Sequence, residues 1–180
     1  MNDSDQIAIT ASIIRHLQKE GSWCGETHVQ KATYVCQELT RVEQQFRFIL
    51  YKHGPYSFEL SACLQGMIAD DLVKLVSRPP YGPSLRLTAE AETLAQTDVT
   101  AETNEMISFV SKKLGRKGVT DLEKIATAIY VNKELGEEAD LDRKAKFLTS
   151  IKPHVALEAA KLAFQEVKSF KKEIAALAAP

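Results

Sequence analysis

The chain has 180 residues, and 44% of them are hydrophobic, which is enough to build a buried core and excludes an intrinsically disordered chain. Its 23 basic and 24 acidic side chains nearly cancel, giving a formal net charge of -1. This balance excludes the broad basic surface of a non-specific nucleic-acid binder, so any contact with DNA must come from a local patch.

Two amphipathic helices are predicted at the start of the chain. Apolar residues recur at helical spacing over residues 5–20, and Gly21 is placed to end this first helix. Thr27 and Gln30 have the spacing of a capping box, which predicts a second helix over about residues 27–39. The N-terminal region is therefore expected to be helical.

The stretch 46–60 holds the densest cluster of polar and aromatic side-chain tips in the chain. Its alternating apolar start predicts a short strand, and Gly54-Pro55 predicts a rigid corner, because proline fixes its own backbone and restricts the residue before it. Ser57 is then placed to cap a third helix. We expect the corner to form an exposed surface. Its candidate partner-binding residues are Lys52, His53, Tyr56 and Ser57.

Two short strands after the third helix are predicted to form a wing. Residues 72–76 and 84–87 have strand character, and the proline-rich run 77–83 predicts a long, stiff loop between them. The resulting order of elements is close to that of a winged-helix domain, except that a strand separates the second and third helices. If the wing docks on DNA, the candidate nucleic-acid-binding residues are Lys74, Arg78, Tyr81 and Arg86.

The second half of the chain is predicted to be helical throughout. Thr100 opens a helix that the basic, glycine-bounded segment 112–118 closes. Thr120 and Glu123 form another capping box at the start of the most clearly amphipathic helix. A shorter helix is broken at Lys152-Pro153, and an alanine-rich helix follows, through which a homodimer could form.

These elements predict a mainly α fold with a small β-hairpin wing. A winged-helix-like half, residues 1–97, is expected to pack as one domain on a C-terminal helical bundle, residues 98–180, because no flexible linker separates them. No stretch approaches the roughly 18 consecutive apolar residues of a membrane-spanning helix, and the start of the chain lacks signal-peptide character. We therefore expect a cytoplasmic protein with no membrane partner.

Catalytic and metal-binding patterns are weak. Cys24 and His28 lie near a helix start, where the helix dipole could lower the pKa of the thiol, but no Asn or Asp stands at a recognisable spacing to orient them. The three cysteines form no C-x-x-C pair, and the four histidines form no H-x-x-x-H pair. We predict no cofactor, no metal site and no catalytic residue, and keep a cysteine-dependent enzyme as a third alternative.

Four segments resemble one protein family. The helix segment 31–35 (K-A-T-Y-V) and the corner 51–57 (Y-K-H-G-P-Y-S) are similar to the helix and the Y-x-H/Y-G-P corner of the Panacea domain, the SocA-like antitoxin group, and more similar still to its YwgA-like relatives. Segments 121–128 and 151–154 also resemble parts of the YwgA-like proteins. The resemblance spans most of residues 10–165. It implies a compact, mostly helical module without catalytic residues, which in the antitoxin members neutralises a partner protein.

The residues and the resemblance together predict a non-enzymatic module that binds a partner protein, which could be a toxin, through the corner and the adjacent third helix. A DNA-binding transcriptional regulator that uses the wing is the alternative. A purely structural corner is also open, in which Ser57 only caps its helix, Tyr56 packs and Lys52 is solvated.

Overall fold

The computed structural model describes residues 3–40, 42–43 and 46–177 of the chain. Over these residues the chain forms eight α-helices and two antiparallel β-hairpins, which confirms the expectation of a mainly helical fold with a small β component. In chain order the elements are α1 (Asp3–Lys19), α2 (Glu26–Leu39), β1 (Ile49–Tyr51), β2 (Gly54–Tyr56), α3 (Phe58–Ala69), β3 (Val73–Arg78), β4 (Tyr81–Leu87), α4 (Ala89–Thr97), α5 (Ala101–Leu114), α6 (Val119–Leu135), α7 (Leu141–Ile151) and α8 (Leu157–Leu177).

One hydrophobic core joins helices from the two ends of the chain. α1 packs against α4 and α5, and α2 packs against α5 and α6. The stripes predicted from helical spacing face this core, since Leu17 of α1, Ile107 of α5 and Leu122 of α6 are all buried. The core therefore crosses the predicted division at residue 97, which itself stays a prediction.

α2 is buried on almost every side. Each residue from His28 to Cys36 is buried, including the polar Gln30 and Lys31. A helix surrounded by protein normally carries apolar residues on all its faces. Polar side chains at such positions need partners within the protein, because leaving them unpaired in the interior costs free energy. The partner of Lys31 is Pro55 of β2, and the partner of Gln30 is Ser57, the residue that follows β2.

The three C-terminal helices pack on one another and, through α6, on α2. α8, which has 21 residues, buries Phe164, Val167 and Phe170. α7 ends at Ile151, two residues before the predicted helix breaker Pro153. Within the described part of the chain, none of the helices combines the length and the apolar character that crossing a membrane requires.

The first hairpin differs from the predicted strand and corner. β1 and β2 pair in antiparallel register, with Tyr51 opposite Gly54. The turn therefore lies at Lys52 and His53, whereas Gly54-Pro55, predicted as the corner, forms part of the second strand. Gly54 has a φ of +83°, in the left-handed region that glycine enters without strain. The positive φ directs the chain back along β1 after a turn of two residues.

The second hairpin, which we call the wing, is longer than predicted. β3 and β4 pair from Val73 opposite Leu87 out to the tip, where Pro79 and Pro80 alone lie between the strands. The predicted seven-residue loop over 77–83 is therefore wrong. Pairing continues past an irregularity between residues 76 and 78, so most of the predicted loop is strand.

The helix starts confirm some predicted caps and correct others. Ser57 caps α3 by accepting from the N–H of Leu60, and Thr100 caps α5 in the same way. Both predicted capping boxes are wrong, because α2 follows Gly25 and α6 follows Gly118 with no side-chain cap at either start. The glutamine and the glutamate of those two motifs are buried in the interior instead.

We expect Gly54→Ala to destabilise the protein. A Cβ at residue 54 would lie 3.0 Å from Oγ1 of the buried Thr127, and the positive φ strains any residue with a side chain. The expected loss is about 1–3 kcal/mol of unfolding free energy, measured by urea denaturation.

Gly66→Ala is the matched control for this prediction. Gly66 lies on the exposed side of α3, and a Cβ there meets nothing within 4 Å. Because alanine favours helix over glycine, this variant should gain about 0.5–1 kcal/mol. Equal unfolding midpoints for the two variants would contradict the special role of Gly54.

Candidate functional site

Three aromatic side chains form an exposed cluster on the first hairpin and the start of α3. We call Tyr51, Tyr56 and Phe58 the aromatic patch. The ring centroid of Tyr51 lies 5.7 Å from that of Tyr56 and 5.8 Å from that of Phe58, and the last two are 5.1 Å apart. Tyr51 is 54% exposed and Phe58 is 58% exposed. Clustered exposed apolar surface of this kind is typical of interaction sites.

A carboxylate from α2 orients Tyr56. The Tyr56 hydroxyl donates to Glu26 Oε1 at 2.9 Å, and Ser61 Oγ donates to the same oxygen at 2.8 Å. Partial burial raises the pKa of Tyr56 above its usual value, so the phenol keeps its proton and remains a donor. Lys52 and His53, which form the turn of the hairpin, are exposed as expected.

Two buried lysines hold the hairpin from below through its backbone. Lys31 Nζ donates to the carbonyl oxygen of Pro55 at 2.7 Å. Lys152 Nζ donates to the carbonyl oxygens of Tyr51 at 2.9 Å and Lys52 at 2.6 Å. Because both lysines are buried, these carbonyls replace the water that would otherwise solvate the ammonium groups.

One buried carboxylate balances the two ammonium groups. Glu123 Oε1 lies 3.0 Å from Lys152 Nζ, and each side chain is only 6% exposed. Glu123 Oε1 accepts no hydrogen bond of good geometry, so its contact with Lys152 is an ion pair. Glu123 Oε2 lies 3.4 Å from Nε2 of the half-exposed His154. Burial lowers the pKa of Lys31 to about 8, and the charge of Glu123 opposes the decrease. We call Lys31, Glu123 and Lys152 the ion cluster.

Ser57 supports the hairpin from beneath the surface. Gln30 Nε2 donates to the Ser57 carbonyl at 2.8 Å, and the Ser57 N–H donates to Gln30 Oε1 at 2.9 Å. The Ser57 side chain is fully buried and caps α3. This corrects the expectation that Ser57 contacts a partner directly, whereas Lys52, His53 and Tyr56 remain on the accessible side.

Sequence reasoning missed several members of this site. Gln30 and Glu123 have the spacing of cap residues, and Lys152 precedes a proline, so each had a sufficient local explanation. Tyr51 and Phe58 flank the corner motif, but their exposure depends on what packs around the hairpin. One signal in the sequence could have identified them. A charged or amide side chain on the apolar stripe of a helix needs a polar partner inside the protein.

The predicted wing residues lie apart from this site. Lys74 and Arg86 stand directly opposite each other on β3 and β4, and Lys74 is exposed, 3.8 Å from Asp71. The ring of Tyr81, at the tip, packs edge-on against Trp23 at 4.8 Å. The side chain of Arg78 lies outside the described residues. Among the wing side chains that the structure describes, Lys74 and Arg86 form one facing basic pair.

Cys24 lies in a setting that opposes thiolate chemistry. Its side chain is fully buried, and burial raises its pKa to about 12, whereas the sequence suggested a lowered value. His28 is also buried, with Nε2 2.9 Å from the carbonyl oxygen of Leu114, and burial lowers its pKa. In residues 3–40, 42–43 and 46–177, no group of three His, Cys, Asp or Glu side chains is placed to hold a metal ion.

A groove of about 540 Å³ opens between the wing, α3 and the starts of α2 and α6. We call it the wing groove. Its walls are mainly apolar and include Trp23, Leu64, Ile68, Leu75, Tyr81 and Val119. No sequence motif predicted it, because its walls come from five separate stretches of the chain.

Comparison with known proteins gave no relative: no family model matches the chain, and a search of curated proteins found no match. The resemblance to the Panacea domain therefore stays a hypothesis. The fold nevertheless brings the four segments of that resemblance together. Three of them supply Lys31, Glu123 and Lys152 of the ion cluster, and the two lysines hold backbone carbonyls of the fourth, segment 51–57.

We expect Glu123→Gln to destabilise the protein strongly. The substitution keeps the shape of the side chain but leaves two buried ammonium groups without a counter-charge. Removing one partner from a buried ion pair typically costs about 3–5 kcal/mol, which urea denaturation would measure.

Asp121→Asn, two residues earlier in the same helix, is the matched control. Asp121 pairs with Lys124 at 2.7 Å on the surface, where water and salt weaken the attraction. Loss of such a pair changes stability by less than about 1 kcal/mol. If the two variants lose the same stability, the ion cluster does not hold the fold together.

A dependence on pH should follow from Lys31. Its pKa is about 8 in the folded protein, below the ordinary value of 10.5, so the folded protein releases this proton first as pH rises. Between about pH 8 and pH 10.5 the unfolded chain therefore binds more protons than the folded protein does. The contribution of Lys31 to the unfolding free energy increases over this range. Below that window the contribution is constant.

Lys31→Met removes this titration. Unfolding free energy is measured against pH for both proteins, and the curve of the variant is subtracted from that of the wild type. The subtraction cancels the contributions of the buried thiols and of Tyr34, because these groups titrate in both proteins. The difference should grow in favour of the wild type as pH rises through the window. Parallel curves from pH 7.5 to 10 would contradict the lowered pKa.

Proposed function

We propose that the chain is a non-enzymatic protein-binding module that captures a partner protein with the aromatic patch. The observation that carries this proposal is the clustering of Tyr51, Tyr56 and Phe58, two of them more than half exposed, on an anchored hairpin and the start of α3. Aromatic side chains dominate the energetic centres of protein interfaces, since they bury much apolar area with few rotatable bonds.

The anchoring favours binding because it lowers the entropic cost of association. Lys31 and Lys152 hold the backbone on both sides of the turn, and Gln30 holds the end of β2. Glu26 fixes the ring of Tyr56 through its hydroxyl. A surface that is already ordered in the free protein loses less freedom on binding than a mobile loop does.

The chemistry around the patch indicates the kind of partner. Lys52 and His53 are exposed at the turn beside the rings. A partner that offers an apolar pocket with carboxylates on its rim would complement both features. The resemblance to the SocA-like antitoxins favours a partner that is neutralised by being bound, such as a toxin, in the cytoplasm.

We expect Phe58→Ala and Tyr51→Ala to abolish partner capture without unfolding the protein. Loss of an interface aromatic typically costs about 2 kcal/mol or more of binding free energy, roughly a thirtyfold loss of affinity. The partner would be identified by mass spectrometry after capture from the native cell with the tagged wild-type chain. Its affinity for each purified variant would then be measured by calorimetry.

Phe147→Ala is the control for these variants. Phe147 lies on α7, is not part of the aromatic patch, and is also partly exposed. This variant should bind like the wild type, and His53→Ala should weaken binding less than Phe58→Ala. Full affinity in both patch variants, with unchanged thermal midpoints, would refute the proposal.

A DNA-binding regulator is the second candidate, and the facing pair Lys74 and Arg86 favours it. Like charges directly opposite on two strands repel each other, so a phosphate between them would relieve the repulsion. In this reading the N-terminal half acts as a winged helix and the wing contacts the DNA backbone. A gel shift that weakens steeply with salt, and that is lost in Lys74→Ala, would support it. Absence of any salt-sensitive shift would remove it.

The predicted homodimer contact through α8 is a separate proposal. Leu162, 64% exposed, gives the outer side of this helix an apolar position that suits contact with a second copy.

A further inference from the structure

The wing groove exists because the wing extends past the helices that support it. Val73 and Leu87 pair at the base of the wing, and Leu75 and Leu85 pair one step further out on the same face. Val73 and Leu85 are buried, whereas Leu75 is 51% exposed. The inner face of the wing is therefore buried in the core at its base and exposed further out, where it presents an apolar surface next to α3.

The groove is held open by contacts between its walls. Trp23 Nε1 donates to the carbonyl oxygen of Gly82 at 3.1 Å, and the N–H of Leu85 donates to the carbonyl of Cys24 at 2.8 Å. These bonds join the wing to the segment that precedes α2, while Tyr81 packs on Trp23. A groove with walls fixed in this way needs no rearrangement before a ligand enters.

One end of the groove carries positive charge. Lys117 lines it, and the exposed Arg116 precedes Lys117 in the chain. Lys117 Nζ lies 2.7 Å from Glu166 Oε1, and because an ammonium group has three N–H donors, this ion pair leaves capacity for a second acceptor. The amino end of α6, which begins at Val119, adds positive potential at the same place. Glu26, an acidic residue of the groove lining, belongs to the start of α2, where its Oε1 accepts from the Tyr56 and Ser61 hydroxyls.

We propose that the wing groove binds an amphipathic organic anion, a small molecule with a flat or elongated apolar body and one anionic head group. The apolar body would lie between Trp23, Leu75 and Ile68, and the head group would pair with Lys117. A volume of about 540 Å³ is in the range of small-molecule sites, which are mostly apolar with a few polar groups that fix orientation. This inference does not depend on the proposed protein partner, because the aromatic patch lies outside the groove.

The single tryptophan of the chain makes the proposal directly testable. Trp23 is part of the groove wall, so its fluorescence reports on occupancy of this site. The probe is 8-anilinonaphthalene-1-sulfonate, an aromatic anion, and its neutral counterpart is N-phenyl-1-naphthylamine. We expect saturable binding of the anion to the folded protein with one site, accompanied by quenching of Trp23 through energy transfer to the probe.

Four variants locate the bound probe. Leu75→Asp should weaken binding of the anion about tenfold, since it replaces apolar wall with a like charge. Leu141→Asp, the same substitution on α7, should bind like the wild type. Lys117→Met should weaken binding of the anionic probe about fivefold and leave binding of the neutral probe unchanged. Phe58→Ala, which removes part of the aromatic patch, should bind both probes normally, so failure of the protein-binding proposal would leave this result intact.

Three outcomes would overturn the inference. The first is the absence of saturable binding to the folded wild type. The second is binding that leaves Trp23 emission unchanged or that survives in Leu75→Asp, since either places the probe elsewhere. The third is an equal loss of affinity for the anionic and the neutral probe in Lys117→Met. This result would show that the lysine contributes to the groove wall and does not pair with a head group.

Discussion

The structure depends on a buried group of charges, two lysines and one glutamate, beneath a very short hairpin. Removing an ion from water costs several kcal/mol even after the protein relaxes, so each member needs compensation at its own site. Glu123 supplies the counter-charge, and the carbonyls of Tyr51, Lys52 and Pro55 supply the hydrogen bonds. Hairpin and ion cluster therefore require each other, because neither the lysines nor the exposed turn would be stable alone.

This dependence explains how strands of three residues can carry exposed aromatic side chains. An isolated two-stranded hairpin is at best marginally stable in water, and the hairpin has no third strand within the described residues. Its rigidity comes instead from α2 and α6, which pack against β2, and from Lys31 and Lys152, whose ammonium groups hold its backbone carbonyls. Because Lys31 and Lys152 hold backbone carbonyls, the side chains of Tyr51 and Phe58 stay more than half exposed, while Glu26 holds the hydroxyl of Tyr56. The wing follows a similar plan, with its base in the core and its outer half above a groove.

The errors in the sequence reading share one physical cause. Thr27 with Gln30, and Thr120 with Glu123, have the spacing of capping boxes, and a glutamine or glutamate there can serve a cap or an interior partner equally well. Ser57 was correctly predicted to cap α3, because a cap bond joins residues three positions apart. The contact of Lys152 with the carbonyl of Tyr51 joins residues 101 positions apart, and nothing local to either residue indicates it.

The amino-acid sequence alone was sufficient for the helices, their buried stripes and the existence of two β segments. These features follow from periodicity and from turn chemistry, which act over a few neighbouring residues. The position of the turn in the first hairpin, the burial of Ser57 and the wing groove emerged only when distant segments packed together. Burial and charge pairing belong to the assembled chain, because whether a polar side chain meets water or protein depends on what the rest of the chain places beside it.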